Sequence, residues 1–281
     1  MRSWGMNTIR FTLSSALWND GCADYRKNLA DSVKTALDAG MYVVLSLQWN
    51  APFGAPANAA AGGAQYPMPD RKTDLAFWRD VAGMFRNDAR VLFNLFSEPF
   101  GVSCAQWYLG GAMTVNFVND PKGKLIRGAY SAIGMNDLAA AVRSVAPRNV
   151  IVVSGVDWGY DLSCVTSGYA LHTDNVAYAT HPFDYMQKQA NDWDRAFGVP
   201  ALTHVVMAEE FGQYNCKTDY ISALIERFRK YEMSWLAWNW SVAGGCEGPA
   251  LLSDWEGTPS EPYGAFVRSA ARAASPLYQA P

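Results

Sequence analysis

Val91-Leu92-Phe93-Asn94-Leu95-Phe96-Ser97-Glu98-Pro99 is an apolar run of strand length that finishes on an acid and is stopped by a proline. A second stretch, Val205-Val206-Met207-Ala208-Glu209-Glu210-Phe211-Gly212, does nearly the same. Strand-like runs at 7–13, 42–47, 91–96, 150–154, 176–180, 204–208 and 234–238 alternate with helical patterns from one end of the chain to the other. That alternation is the mark of a parallel sheet joined by crossover helices.

The helical patterns carry apolar residues at spacings of three and four. They fall at 25–39, closed by Gly40, at 75–85 behind the capping candidates Asp70 and Thr73, at 138–145 before Pro147, at 221–231 and at 263–274. At 281 residues with 50% hydrophobic composition, the chain can bury one large core. A (β/α)8 barrel commonly occupies about 250 residues as one domain, so the expected architecture is an α/β chain with a single (β/α)8 TIM barrel. Segment 51–71 is rich in Ala, Gly and Pro without periodicity, and a loop of that length after a strand is expected to wall a cleft.

Composition excludes several function classes. A net charge of −3 with scattered Lys and Arg provides no basic field for a nucleic acid. No stretch approaches the roughly 20 apolar residues of a membrane helix. Eleven Trp residues within a 14% aromatic content offer flat faces on which sugar rings stack, with core packing as the alternative use. Cys22, Cys104, Cys164, Cys216 and Cys246 fall in Gly-, Asp- or Ser-rich segments after expected strands and would share one rim. Disulfides pairing Cys104 with Cys164 and Cys216 with Cys246 are one reading and imply an oxidising compartment; buried free thiols are the other. The first residues show no apolar run of a secretory signal, so a secreted protein requires an N-terminal region absent from this chain.

Catalytic groups of a barrel sit at the C-terminal ends of its strands. Cleaving a glycosidic bond with retention needs two carboxyl groups about 5 to 5.5 Å apart, one protonated and one ionised. Glu98 and Glu210 stand at such strand ends, with helix capping as the ordinary alternative. Glu209 competes with Glu210, and period-two alternation puts the two on opposite faces.

The chain also shows Gly5-Met6-Asn7-Thr8-Ile9-Arg10, Phe96-Ser97-Glu98-Pro99, His181-Pro182-Phe183, Glu210-Phe211-Gly212 and Ser234-Trp235-Leu236-Ala237-Trp238, in that order. This series, spread over nearly the whole chain, resembles glycoside hydrolase family 5, the cellulase and mannanase family. The resemblance implies Glu98 as acid/base and Glu210 as nucleophile, supported by Arg10, with His181 near the reacting sugar and Trp238 beneath it. Three positions depart from the family pattern: Ser97 stands for the usual asparagine, Gln48 for a histidine, and Phe183 for a tyrosine whose hydroxyl Tyr185 is expected to replace. Segment 5–13 resembles the family's second strand, so the first strand of the barrel has no counterpart, the chain is expected to be N-terminally incomplete, and Cys22 would lack its partner.

The expected activity is a retaining endo-β-glycosidase on a polysaccharide, with β-1,4-glucan preferred and mannan or another β-glycan as alternatives. Trp49, with Trp18, Trp107, Trp158, Trp193 and Trp255, supplies candidate subsites. No cofactor and no metal are expected, since no ligand spacing of a structural zinc site is present. A secreted monomer is expected. The rival of another class is a carbohydrate-binding barrel impaired by the changes at Ser97, Gln48 and Phe183; an aldolase-type barrel is remote because no lysine ends an expected strand.

Overall fold

A computed structural model describes residues 1–20, 23–55, 63–118 and 124–274, and the chain divides into two compact units, residues 9–179 and residues 1–8 with 180–281. Cys22 and positions 56–62 of the long loop lie outside the described residues.

In the first unit, β1 (Thr8–Ser14), β2 (Tyr42–Trp49), β3 (Val91–Asn94), β6 (Ile151–Ser154) and β7 (Val176–Thr180) lie side by side in that order. Pairing is parallel, with Val43 opposite Val91, Phe93 opposite Ile151, and Ile151 opposite Val176. Residues 43–48 of β2 are all buried. A parallel sheet covered on both faces is written as such continuous apolar runs.

The helices that follow these strands have clear local causes. Gly40, with φ of 73°, ends helix α1 (Ala23–Asp38) in the left-handed conformation that glycine adopts most easily. At α2 (Thr73–Phe85) the Asp70 carboxylate accepts from the backbone N–H groups of Lys72 and Thr73, at 2.8 and 2.7 Å, as its sequence position suggested. That helix buries Phe77, Trp78, Val81 and Ala82. Ser103 and Gln106 form a reciprocal capping box on α3 (Cys104–Leu109), and α4 (Met135–Val145) buries Leu138, Ala139 and Val142.

An antiparallel hairpin, β4 (Gly110–Val118) with β5 (Leu125–Ile133), forms a separate two-stranded sheet that the sequence reading did not anticipate. Its signal was a period-two alternation, with Met113 and Phe117 buried and Ala112, Thr114 and Asn116 exposed, rather than a continuous apolar run. The hairpin braces the end of the long loop. Tyr66 packs edge-on against Phe117 and Tyr130, the Tyr130 hydroxyl donates to the Met68 carbonyl at 2.7 Å, and Arg71 N–H donates to the Ser131 carbonyl at 2.8 Å.

The second unit holds β8 (Val206–Ala208) and β9 (Ser234–Trp235), paired in parallel with Met207 opposite Ser234. Both strands are shorter than the apolar runs that announced them. Helix α5 (Asp219–Lys230) buries Ile221, Leu224, Ile225 and Phe228, an i, i+3, i+4, i+7 stripe, and α6 (Tyr263–Ala274) buries Val267, Ala270 and Ala271. All seven expected strands are therefore present among the described residues. Each unit also carries one of the expected disulfides, Cys104–Cys164 in the first and Cys216–Cys246 in the second.

Candidate active site

Glu98 stands just beyond the C-terminal end of β3. The Ser97 N–H donates to the Leu47 carbonyl at 2.8 Å and keeps the chain in register with β2, which sets Glu98 beside Gln48. The Glu98 Oε2 atom accepts from Gln48 Nε2 at 3.2 Å and from Gln65 Nε2 at 2.6 Å. Gln48 thus contacts the carboxylate directly. Gln65 escaped the sequence reading: its loop was marked as functional, but nothing in a stretch without periodicity singles out one amide.

Arg10 donates from Nη2 to the hydroxyls of Ser46 at 2.8 Å and Ser97 at 2.5 Å. Ser97, read as a shortened asparagine, is fully buried and serves as an acceptor for this guanidinium. Charge-assisted bonds of this kind are stronger than neutral ones and fix a planar donor in orientation.

Two residues after Glu98, Phe100 stacks on Trp158 with ring centroids 3.9 Å apart and planes 1° from parallel. The Trp158 N–H donates to the Pro99 carbonyl at 2.9 Å, while Asp157 and Trp158 both hold left-handed φ angles of 55° and 59°. Such backbone is uncommon for residues other than glycine and persists where its surroundings hold it. Trp158 remains 43% exposed. Exposure sorts the candidate tryptophans: Trp18, Trp107 and Trp193 are buried core residues, whereas Trp49, Trp158 and Trp255 present open ring surface.

A buried carboxyl lies behind this cluster. Asp74 accepts from Ser15 Oγ at 2.5 Å, Asn50 Nδ2 at 2.8 Å and the Asp70 N–H at 2.6 Å. Burial nevertheless raises its pKa to about 7, with nearby Asp70 adding a smaller push in the same direction.

In the second unit, His181 follows β7, and Glu209 and Glu210 follow β8. The Glu209 N–H donates to the Thr180 carbonyl at 3.2 Å, and Glu209 Oε2 lies 3.5 Å from His181 Nε2 with both side chains fully buried. Glu210 is also buried, at 6% exposure. Phe183 pairs with Gly212 in a parallel bridge and stacks on Tyr214 at 5.6 Å. A Cβ on Gly212 would meet the Phe183 ring and Pro249 at 2.9 Å, which explains the glycine that closes the Glu-Phe-Gly segment. Tyr185 is 52% exposed, with its ring against Tyr214. Trp238, half-buried, donates its N–H to the Phe211 carbonyl at 3.0 Å and accepts on its own carbonyl from the Tyr263 hydroxyl at 2.6 Å.

Comparison with known proteins adds an independent line. The family model described as Cellulase (glycosyl hydrolase family 5) matches residues 1–244. The chain is similar to the major extracellular endoglucanase of Xanthomonas campestris pv. campestris, 26% identical over 91% of this chain and 58% of that protein. It is also similar to the β-mannanase/endoglucanase A of Caldicellulosiruptor saccharolyticus, 22% identical over 96% of this chain and 18% of that protein. The chain therefore spans about a fifth to three-fifths of these relatives' lengths. Among solved structures, a β-glucanase from Saccharophagus degradans superposes with a TM-score of 0.73 at 21% identity, covering 98% of this chain and 80% of that one. The likeness shows the fold, a (β/α)8 barrel of which the described residues supply seven strands.

Proposed function

We propose that this chain, which belongs to the cellulase family, glycosyl hydrolase family 5, is a secreted retaining endo-β-glycosidase acting on a β-1,4-glucan. The observation that carries the reading is that Glu98 and Glu210 each lie within a few residues of the C-terminal end of a strand, β3 and β8, with the carboxylate of Glu98 engaged by two amide donors. Barrels collect their catalytic groups at such strand ends.

In the proposed reaction, a Glu210 carboxylate oxygen attacks the anomeric carbon while Glu98 gives its proton to the departing glycosidic oxygen. The C–O bond to the leaving sugar breaks as the bond to Glu210 forms. Glu98, now ionised, takes a proton from water, whose oxygen displaces Glu210 and restores both carboxyl groups. This chemistry requires the two carboxyls about 5 to 5.5 Å apart. Arg10, Gln48, Trp49, Ser97, His181, Phe183 and Trp238 are assigned to holding the substrate and the acids in place.

Glucan is preferred because the relatives are named for endoglucanase and β-glucanase activity; one of them is also named for β-mannanase activity, which keeps a mannan backbone as the second candidate. The disulfides Cys104–Cys164 and Cys216–Cys246 support an oxidising, extracellular setting. No described helix is long and apolar enough to cross a membrane. Proton NMR of fresh digests of soluble β-glucan and mannan tests the proposal: the new reducing ends emerge first as the β-anomer, and first appearance of the α-anomer contradicts it.

A further inference from the structure

We infer that Gln65 is a positioning residue for Glu98, and that together with Gln48 it reserves Oε2 as an acceptor so that the acid proton is carried on Oε1. The inference rests on the reading of Glu98 as the acid/base. Two N–H donors converge on one carboxylate oxygen, at 2.6 Å from Gln65 and 3.2 Å from Gln48. A proton on Oε2 would point into those donors. On Oε1 it leaves both hydrogen bonds intact, since Oε2 then accepts as a carbonyl oxygen.

Gln65 can act this way only if its loop is held, and the structure holds it from both sides. Upstream, Asn50 at the end of β2 exchanges two backbone bonds with Ala64, each 2.9 Å, next to Gln65 itself. The Asn50 side chain is tied in turn to the buried Asp74 carboxyl at 2.8 Å and to the Met68 carbonyl at 3.4 Å. Downstream, Tyr66 is buried against Phe117 and Tyr130 of the hairpin, and Met68 exchanges two bonds with the Tyr130 hydroxyl, at 3.1 and 2.7 Å. The Ile133 N–H donates to the Pro69 carbonyl at 2.9 Å, and Asp70 bridges to Ala132. An amide anchored on both flanks meets the requirement for a preorganised support, whose own geometry is fixed before the substrate arrives. The hairpin that the sequence concealed thereby gains a purpose: it braces the segment that orients the proton donor.

The test begins without substrate. The Glu98 carboxyl is followed by 13C NMR in protein labelled at the glutamate side-chain carboxyl carbon, its signal assigned by its loss in Glu98→Gln. Removing a donor to the ionised form raises the titration midpoint. In Gln65→Leu the Glu98 midpoint is expected to move upward. Gln65→Glu, which keeps the size and adds a second charge, moves it further and replaces the first variant should that one fail to fold. An unchanged midpoint in both overturns the inference, whatever the role of Glu98.

Kinetics then separate the inference from the reading beneath it. For Gln65→Leu, kcat/KM on cellotetraose, whose sugar leaving group needs protonation, is expected to fall roughly ten- to hundredfold. On 2,4-dinitrophenyl β-cellobioside, whose leaving group departs without help, it is expected to stay within about threefold. The alkaline limb of the profile moves to higher pH. Equal losses on both substrates with an unshifted profile mark Gln65 as merely structural and overturn the inference. Wild-type kcat/KM on cellotetraose in Glu98→Gln instead overturns the assignment of Glu98.

Discussion

His181 Nε2 stands 3.5 Å from Glu209 Oε2, and neither side chain has exposed surface. Taking a carboxylate out of water is costly unless it has partners, so this contact gives the first of two adjacent acids a partner inside its own unit. We propose on this basis that Glu209 is held by His181 and that Glu210 is the nucleophile.

Glu210→Gln is expected to lower kcat/KM on aryl β-cellobiosides by about 10⁴-fold or more, as removal of a nucleophile does. Glu209→Gln keeps the shape of the side chain and removes only its charge toward His181; the expected loss is nearer ten- to hundredfold, the scale of a misplaced site. Steady-state kinetics of the two variants decide between them. Reversed magnitudes would assign the chemistry to Glu209.

Asp74 makes stability depend on pH. Its folded pKa of about 7 lies above the roughly 3.9 of an unfolded aspartate. The folded state therefore binds the extra proton between those values, and this group's contribution is full below about pH 4 and is lost as pH rises toward 7. The slope is about 1.4 kcal/mol per pH unit for one proton, and it flattens above pH 7. Urea unfolding of wild type and Asp74→Asn at several pH values isolates the effect. The variant's stability relative to wild type is expected to climb from pH 4.5 to 7 and then level off; a flat difference contradicts the assignment.

Trp158 and Trp107 should respond to truncation in different ways. Trp158 is 43% exposed and is tied by one backbone hydrogen bond to Pro99, next to Glu98, whereas Trp107 is fully buried and donates its indole N–H to the Ser154 carbonyl at 3.0 Å. Trp158→Ala is expected to raise KM for cello-oligosaccharides about tenfold, the equivalent of about 1.4 kcal/mol, with little change in unfolding midpoint. Trp107→Ala is expected to cost about 3–5 kcal/mol of stability. Parallel kinetics and denaturant titrations check both.

Much of the fold was legible because β2, β3, β6 and β7 are buried on both faces, so that each is written as an uninterrupted apolar run. The ends of β3 and β8 were legible for a related reason: a charged residue terminates each run. The positions of the cysteines after strands suggested one pairing among the three open to four cysteines, and the structure contains both of its bonds. What stayed hidden lies where side chains alternate or where no period exists. The hairpin 110–133 spreads its buried residues over every second position. Gln65 sits in a loop whose conformation is imposed by Tyr130, Asn50 and Asp74 from distant parts of the chain. The role of Ser97 was visible only once Arg10 was seen to reach it.

The proposed reaction turns on which carboxylate forms the bond to sugar. Incubation with 2,4-dinitrophenyl 2-deoxy-2-fluoro-β-cellobioside, which slows release of a glycosyl-enzyme more than its formation, followed by peptide mass spectrometry, identifies the labelled side chain. The predicted result is a single fluoro-cellobiosyl group on Glu210. A label on Glu209 or any other residue, or turnover of β-glucan by an enzyme that never accumulates label, would contradict it.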